Sequence, residues 1–122
     1  MKKVAITGVT GFIGGSLARK LLADGIEVIG IDIDTPKFDD FSTDNFHKIV
    51  ASFEEYNNLP DMIKDTDIDV FYHFAWAGGF TTAIKDYKLQ MSNAGYAGDA
   101  LMVAKAIGAK KFVYANTYNQ YE

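Results

Sequence analysis

Residues Thr7-Gly8-Val9-Thr10-Gly11-Phe12-Ile13-Gly14 decide the fold of this 122-residue chain. They follow a short apolar run, Val4-Ala5-Ile6, and lead into a segment in which Ile13, Leu17 and Leu21 recur every four residues. The first run is typical of a buried strand and the second of an amphipathic helix. Glycine suits the turn between them if the chain bends tightly there, the helix lies close to the strand, and backbone N–H groups face an anion.

Short runs rich in Val, Ile and Phe alternate with helical patterns along the rest of the chain. Further strands are predicted at Glu27 to Ile31, Asp69 to Phe74 and Lys111 to Ala115, with a weaker one at His47 to Ala51. Their near-continuous apolar character is typical of strands covered on both faces. The order of elements predicts one α/β domain over residues 1–122, a doubly wound parallel sheet between two helix layers. Its expected strand order is 3-2-1-4-5, and the chain stops just after the fifth strand.

Three helices are expected between these strands. The first begins near Ile13 and stops at Gly25. The second is short, with Asn57 and Asn58 available as caps and Pro60 in its first turn.

The third predicted helix runs from about Ala83 to Ile107 and ends at Gly108. It carries a stripe of apolar residues at helical spacing, namely Ala94, Ala97, Leu101 and Ala104. Gly95 and Gly98 weaken such a helix, which favours a role for them in close packing on the sheet. The stretch from Thr35 to Asn45 is expected to be a polar loop.

Composition narrows the class of protein. The chain is 48% hydrophobic and 23% charged, which is typical of a compact globular domain, and it contains no Cys. Cysteine-based zinc, iron–sulfur, thiol and disulfide chemistry are therefore excluded, and no metal site is predicted. A net charge of −4 with scattered lysines makes nucleic acid an unexpected partner. No membrane span or export signal is visible, and a cytoplasmic setting is expected.

Asp32 lies eighteen residues after Gly14, at the end of the second predicted strand. A carboxylate at this distance accepts hydrogen bonds from an adenosine ribose and repels a 2′-phosphate. The expected cofactor is therefore NAD, with NADP less favoured. Two plainer interpretations stay open from the residues alone: the glycines form a merely structural turn, and Asp32 is an ordinary turn residue.

Several motifs together carry a resemblance to a known family. These are the glycine spacing, Asp32, the segment His73-Phe74-Ala75-Trp76-Ala77-Gly78, Asn93 in the long helix, and Lys111-Phe112-Val113-Tyr114-Ala115. The whole chain resembles the N-terminal Rossmann portion of extended short-chain dehydrogenases/reductases, the NAD-dependent epimerase/dehydratase group that acts mostly on nucleotide sugars. Apart from the resemblance, His73 is expected to be a packed strand-end histidine rather than an acid or a ligand.

The resemblance implies a set of cofactor-binding residues: Gly8, Thr10, Gly11, Phe12, Ile13, Gly14, Asp32, Ile33, Ser52, Phe53, Phe74, Ala75, Trp76, Ala77, Asn93 and Ala115. It also implies a catalytic role for Thr117, whose hydroxyl would hydrogen-bond the reacting oxygen. Relatives commonly have Gly-Asp where this chain has Ala51-Ser52, so a hydroxyl would replace the carboxylate that meets adenine. The family's Tyr-x-x-x-Lys pair has no match anywhere in the 122 residues.

The expected function is the dinucleotide-binding part of an NAD-dependent nucleotide-sugar epimerase, dehydratase or reductase. The catalytic Tyr-Lys pair and the sugar-binding part would lie beyond Glu122, and the chain is expected to form homo-oligomers. Two alternatives remain: a self-sufficient NAD-binding or regulatory module, and an interaction domain with a vestigial glycine loop.

Overall fold

Five parallel strands form one sheet in the computed structural model, which describes residues 1–63, 67–76 and 87–115. The strand order is β3-β2-β1-β4-β5, which confirms the predicted order 3-2-1-4-5. In the central register, Ala5 of β1 pairs with Ile29 of β2 on one side and with Phe71 of β4 on the other. The order reverses at β1, so the carboxyl ends of β1, β2 and β4 surround a crevice.

The bounds of the elements follow the predicted pattern closely. The strands are β1 (Lys3–Thr7), β2 (Glu27–Asp32), β3 (Phe46–Val50), β4 (Val70–His73) and β5 (Lys111–Tyr114). The helices are α1 (Phe12–Ala23), α2 (Leu59–Met62) and α3 (Tyr87–Ala106), and 3-10 turns span Pro36–Asp40 and Phe53–Asn58. The part of the third predicted helix before Tyr87 lies outside the described residues.

The sheet separates two apolar cores, as expected for strands buried on both faces. The core on the α1 side contains Val4, Ile6, Val9, Ala18, Leu21, Val28 and Phe38. The core on the α2 and α3 side contains Ala5, Ile29, Ile31, Ala51, Tyr56, Leu59, Ile63, Ile68, Phe71, Ala100, Val103, Ala104 and Ile107. Alternate residues of β1 therefore belong to opposite cores, which gives the three-layer architecture.

The predicted apolar stripe of α3 is only partly buried, since Ala104 lies on the buried face and Ala97 is half-buried. Ala94 and Leu101 are exposed, whereas the face that packs on the sheet contains Asn93, Ala100, Val103, Ala104 and Ile107. Small and apolar residues occur all round this helix, so the sequence pattern does not define which side is buried.

Gly95 and Gly98 do not mediate close packing within the described chain. A Cβ on either would have no described atom within 4 Å. The prediction that they bring α3 close to the sheet is therefore wrong for the described residues, because both lie on the side of α3 away from it.

Two local predictions also need correction. The segment between β2 and β3 is not simply a polar loop, because Phe38 is buried at 3% exposure and Phe41 stacks on Phe46 with ring centroids 4.5 Å apart. Before α2, Asn58 occupies the N-cap position, but its side chain makes no capping hydrogen bond. The preceding 3-10 turn continues into α2, which leaves that side chain little capping to do. Pro60 does lie in the first turn of α2.

The ends of the strands opposite the crevice are tied together by Asp69. Its Oδ2 accepts hydrogen bonds from the backbone N–H groups of Lys2 at 2.6 Å and Lys3 at 3.1 Å. Its Oδ1 accepts one from Nζ of Lys110 at 3.3 Å. These donors, the two N–H groups first, lower the pKa of Asp69 to about 2. One carboxylate thus joins the starts of β1, β4 and β5.

We expect this tie to weaken in acid. The folded-state pKa of Asp69 lies below its unfolded value, so the stabilisation is fully present above pH ~4 and is lost as the pH falls toward ~2. Asp69→Asn should lower the free energy of unfolding at pH 7, and the difference from the parent chain should vanish near pH 2. Urea titrations across this range measure both, with Asp44→Asn, an exposed carboxylate before β3, as the control. An unchanged difference at low pH would contradict the assignment.

Candidate functional site

The turn between β1 and α1 needs glycine at two positions for reasons internal to the fold. Gly8 has a φ of +69°, and a Cβ there would lie 2.7 Å from the backbone nitrogen of Ala75. A Cβ on Gly14 would overlap the carbonyl oxygen of Gly8. The turn at the end of β1 thus excludes a side chain at Gly8, and the close approach of α1 excludes one at Gly14.

Gly11 differs from the other two glycines. A Cβ on it would meet only the Gly8 carbonyl oxygen, at 3.2 Å, among the described atoms, and the residue lines an open cleft. The protein's own packing therefore demands glycine here less strongly than at Gly8 or Gly14. A bare backbone that faces open space is what the close approach of a ligand requires.

The start of α1 is available to an anion. Gly11 is its N-cap, no side chain caps this end in the described structure, and the first turn holds no acidic residue. The first N–H groups of a helix lack partners within the helix, and the helix dipole adds positive potential there. Together with the bare Gly11, this end of α1 can hold a phosphate or pyrophosphate.

Asp32 is bound to the glycine turn, a contact that sequence reasoning did not find. Its Oδ2 accepts hydrogen bonds from the backbone N–H of Thr10 at 3.0 Å and from the Thr10 hydroxyl at 2.6 Å. Its Oδ1 accepts one from the N–H of Ile33 at 2.8 Å. The carboxylate therefore orients the turn and faces the cleft. The only sequence signals for this contact are the hydroxyl residue Thr10 within the glycine turn and an Asp at the end of β2.

Thr7 and His73 connect the ends of β1 and β4. The Thr7 hydroxyl oxygen accepts hydrogen bonds from the N–H groups of Phe74 at 3.2 Å and Ala75 at 3.3 Å. The Thr7 hydroxyl also shares a hydrogen bond of 2.7 Å with Nδ1 of His73, and the His73 tautomer decides which of the two atoms donates. His73 is 1% exposed, and burial lowers its pKa to about 4. It is therefore a neutral, packed histidine, as predicted.

Ser52, predicted to meet an adenine ring, is bound within its own turn. Its N–H and its hydroxyl both donate to Oε1 of Glu55, each at 3.0 Å, forming the start of the 3-10 turn Phe53–Asn58. These donors lower the pKa of Glu55. The next residue, Phe53, stacks on Tyr96 with centroids 4.2 Å apart and packs edge-on against Tyr56.

These elements enclose a cleft of about 390 Å³ at the carboxyl ends of the strands. Nine predicted residues line it: Gly8, Thr10, Gly11, Asp32, Ile33, Phe53, Phe74, Ala75 and Trp76. Three residues that were not predicted as site residues join them, namely Lys37, Ala51 and Tyr56. Tyr56 is buried, which raises the pKa of its hydroxyl. Its signal in the sequence was too weak to use, because an isolated Tyr in a polar stretch has no motif.

Other predicted residues do not line the cleft. Phe12 and Ile13 have exposed side chains at the start of α1, outside the lining of the cleft, and their backbone N–H groups belong to the first turn of that helix. Gly14 acts through close packing, and Asn93 is buried on α3 at 1% exposure. Ala115 follows β5 and donates its N–H to the His73 carbonyl at 3.4 Å. Ala77 and Thr117 lie outside the described residues.

Comparison with known proteins identifies the family. The model of the NAD dependent epimerase/dehydratase family matches residues 4–122. This chain belongs to that family. A probable UDP-glucuronate 4-epimerase of Rhizobium meliloti is 28% identical, covering 95% of this chain and 37% of that protein. A UDP-N-acetyl-alpha-D-glucosaminuronate decarboxylase of Bacillus cytotoxicus is 31% identical, covering 98% of this chain and 38% of that protein.

A solved structure shares the fold of this chain. The Bordetella bronchiseptica enzyme WbmH, determined in complex with NAD+, superimposes with a TM-score of 0.74 at 28% sequence identity. The match covers 93% of this chain and 38% of WbmH. The chain thus spans less than two fifths of the length of these relatives.

The described residues have two further features that bear on the site. They contain no helix that is long and apolar enough to cross a membrane. They also contain no group of three or more His, Asp or Glu side chains placed to hold a metal ion.

Alanine substitutions at Gly14 and at Gly98 are predicted to change the free energy of unfolding in opposite directions. Gly14→Ala should lower the free energy of unfolding by about 2 kcal/mol or more, because the new methyl group overlaps a backbone carbonyl. Gly98→Ala in α3 is the matched control, and it should raise stability by about 0.5–1 kcal/mol because alanine favours the helix. Chemical denaturation of both variants measures the pair. Equal effects would show that α1 does not approach Gly8 as closely as described.

Proposed function

We propose that this chain is the NAD-binding part of an NAD-dependent enzyme that modifies nucleotide-linked sugars. The observation that carries the proposal is the uncapped start of α1 beside bare Gly11, with the Asp32 carboxylate in the same cleft. A dinucleotide presents a pyrophosphate followed by a ribose, and these are the groups that a helix N-terminus and a carboxylate at the end of β2 can bind. The relatives named above act on UDP-sugars or bind NAD+ according to their descriptions, which supports the same substrate class.

The chemistry of the residues that line the cleft suits a dinucleotide. Backbone N–H groups at the start of α1 would hold the pyrophosphate, and Asp32 would accept hydrogen bonds from the adenosine ribose. Phe74, Ala75 and Trp76 would line the nicotinamide side, where Thr7 holds two of their N–H groups in place. When bound, NAD supplies the hydride acceptor, and the protein contributes orientation and the exclusion of water.

The proton-transfer residues remain a prediction. Thr117 is proposed to hydrogen-bond the reacting sugar oxygen, a role that comes from the family resemblance. A hydroxyl of this type does not exchange a proton near neutral pH, so an additional acid/base is required. The cytoplasmic setting likewise stays a prediction. The second candidate function is a self-sufficient NAD-binding module, which the same cleft would serve.

The chain should bind NAD at least about tenfold more tightly than NADP, because the Asp32 carboxylate repels a 2′-phosphate. Asp32→Asn should reduce the ratio of NAD affinity to NADP affinity. The amide oxygen of the new side chain can still accept the hydrogen bonds of Thr10. Gly11→Val should abolish binding of both, since its side chain would fill the space beside the start of α1. Calorimetric titration of the three chains tests this, with circular dichroism as the check of folding. Equal or tighter NADP binding would overturn the assignment of Asp32.

The 122-residue chain by itself should not turn over any nucleotide sugar. Binding and chemistry should therefore be separable, because the chain offers a dinucleotide cleft but no Tyr-Lys acid/base pair. NADH absorbance and product analysis with UDP-glucose and UDP-glucuronic acid provide the measurement. Turnover by the purified chain would disprove the prediction and would require another acid/base.

The chain is also proposed to associate with itself. In the described sheet β5 is an edge strand, with Tyr114 at 49% exposure, and α3 presents Met91 and Met102 to solvent. Light scattering over a concentration series should show dimers or larger species. Met91→Glu should shift them toward monomer, whereas Met62→Glu on α2 should not; a strictly monomeric parent chain would refute the proposal.

A further inference from the structure

Tyr56 is a buried tyrosine in the lining of the cleft that none of the roles given above uses. It lies in the 3-10 turn Phe53–Asn58 after β3, and it is 2% exposed. Its ring packs edge-on against His73, with ring centroids 6.0 Å apart, and against Phe53, with centroids 5.5 Å apart. Contacts on two sides therefore hold the ring in place, and its small exposed part faces the cleft.

The hydroxyl end of Tyr56 reaches the carboxyl ends of β1 and β2. It faces the hydroxyl of Thr7, the last residue of β1, and the charge of Asp32, the last residue of β2, acts on it. His73 supports the same placement, because it contacts the Tyr56 ring and lies 2.7 Å from the Thr7 hydroxyl. The Tyr56 hydroxyl thus lies beside the start of the glycine turn.

The hydroxyl of Thr7 does not accept the proton of Tyr56. A hydroxyl has one proton and two lone pairs, and the Thr7 oxygen already accepts the N–H groups of Phe74 and Ala75. If the Thr7 proton goes to Nδ1 of His73, both lone pairs of Thr7 are occupied. If Nδ1 donates instead, the Thr7 oxygen takes a third donor, and its own proton is free to go to the Tyr56 oxygen. Either tautomer of His73 leaves the Tyr56 proton without an acceptor at Thr7.

The Asp32 carboxylate does not take this proton either. Its two oxygens accept hydrogen bonds from Thr10 and from Ile33, and it makes none with Tyr56 in the described structure. Among the described residues, Tyr56 therefore carries a hydroxyl proton that the protein itself does not use. Because Tyr56 lines the cleft, an acceptor atom of a bound ligand can take this proton.

Tyr56 is a neutral donor near pH 7. Burial raises the pKa of its hydroxyl, the Asp32 charge raises it further, and the contact with Thr7 opposes them only in part. No cation is among the groups that shift this pKa. Tyr56 therefore differs from the tyrosine of a Tyr-x-x-x-Lys pair, since it can donate a hydrogen bond but does not exchange its proton as an acid/base.

We propose that Tyr56 is a further cofactor-binding residue, whose hydroxyl donates a hydrogen bond to an oxygen of the dinucleotide at the ends of β1 and β2. This inference rests on the proposed function, which puts the pyrophosphate at the start of α1 and a ribose at Asp32. That part of the ligand carries phosphate, ester and ribose oxygens, all of which accept hydrogen bonds. A donor on a packed ring is held in place before the ligand arrives, which lowers the cost of binding.

Calorimetric titration of the parent chain and of Tyr56→Phe with NAD is the first test. The variant keeps the ring and removes only the hydroxyl, so its affinity for NAD should fall about three- to tenfold. Tyr72→Phe, at a half-buried tyrosine on the opposite face of the sheet, is the matched control and should bind NAD as the parent does. Equal affinities of the parent and Tyr56→Phe would overturn the inference and leave the proposed function intact. A parent chain that does not bind NAD would overturn both.

Two shorter ligands show which oxygen is contacted. A fall in the affinity of Tyr56→Phe for both AMP and ADP-ribose would assign the oxygen to the adenosine half of the dinucleotide. A fall for ADP-ribose alone would assign it to the part beyond the first phosphate, and either result supports the inference. If only NAD loses affinity, the hydroxyl acts through the wall of Phe74 and Ala75, and the direct contact is refuted.

A conservative replacement separates a direct contact from a merely structural effect. The chain with 3-fluorotyrosine in place of Tyr56 alone keeps the donor and should bind NAD within about twofold of the parent. Its fluorine NMR signal should shift when NAD is added, because the neighbouring hydroxyl gains an acceptor. An unshifted signal with NAD bound would refute the contact. This measurement also decides the question if circular dichroism shows that Tyr56→Phe is not folded.

Discussion

The close approach of α1 to β1 at the Gly8 carbonyl is the contact on which the rest of the molecule depends. The oxygen accepts the N–H of Gly11 at 3.0 Å and lies where a side chain on Gly14 would be. Gly8 in turn lies against the backbone of Phe74 and Ala75 after β4. Three backbone segments thus meet without side chains between them, which brings the uncapped end of α1 to the crevice between the strands.

Two buried or half-buried polar contacts then hold the walls of this crevice. Asp32 binds Thr10 and so joins β2 to the glycine turn, while Thr7 binds His73 and the N–H groups that follow β4. Both contacts join residues more than twenty positions apart in sequence. They fix the two sides of the cleft before a ligand arrives, and such preorganisation lowers the cost of binding.

The two ends of the cleft differ in character. The middle offers backbone N–H groups and a carboxylate, which are directional and suit a pyrophosphate and a ribose. The end beyond Asp32, lined by Ile33, Lys37, Ala51 and Phe53, offers a fixed aromatic surface, aliphatic side chains and a single charged donor.

The sequence by itself determined the strand–turn–helix unit, the strand order and the position of Asp32, because these follow from local periodicity, glycine spacing and right-handed crossovers. It did not determine which side of α3 is buried, since α3 carries small and apolar residues on every side. Nor did it show that Glu55 captures Ser52 or that Lys37, Ala51 and Tyr56 enter the cleft. Only the tertiary structure decided these points, because each depends on which segments the parallel sheet places side by side.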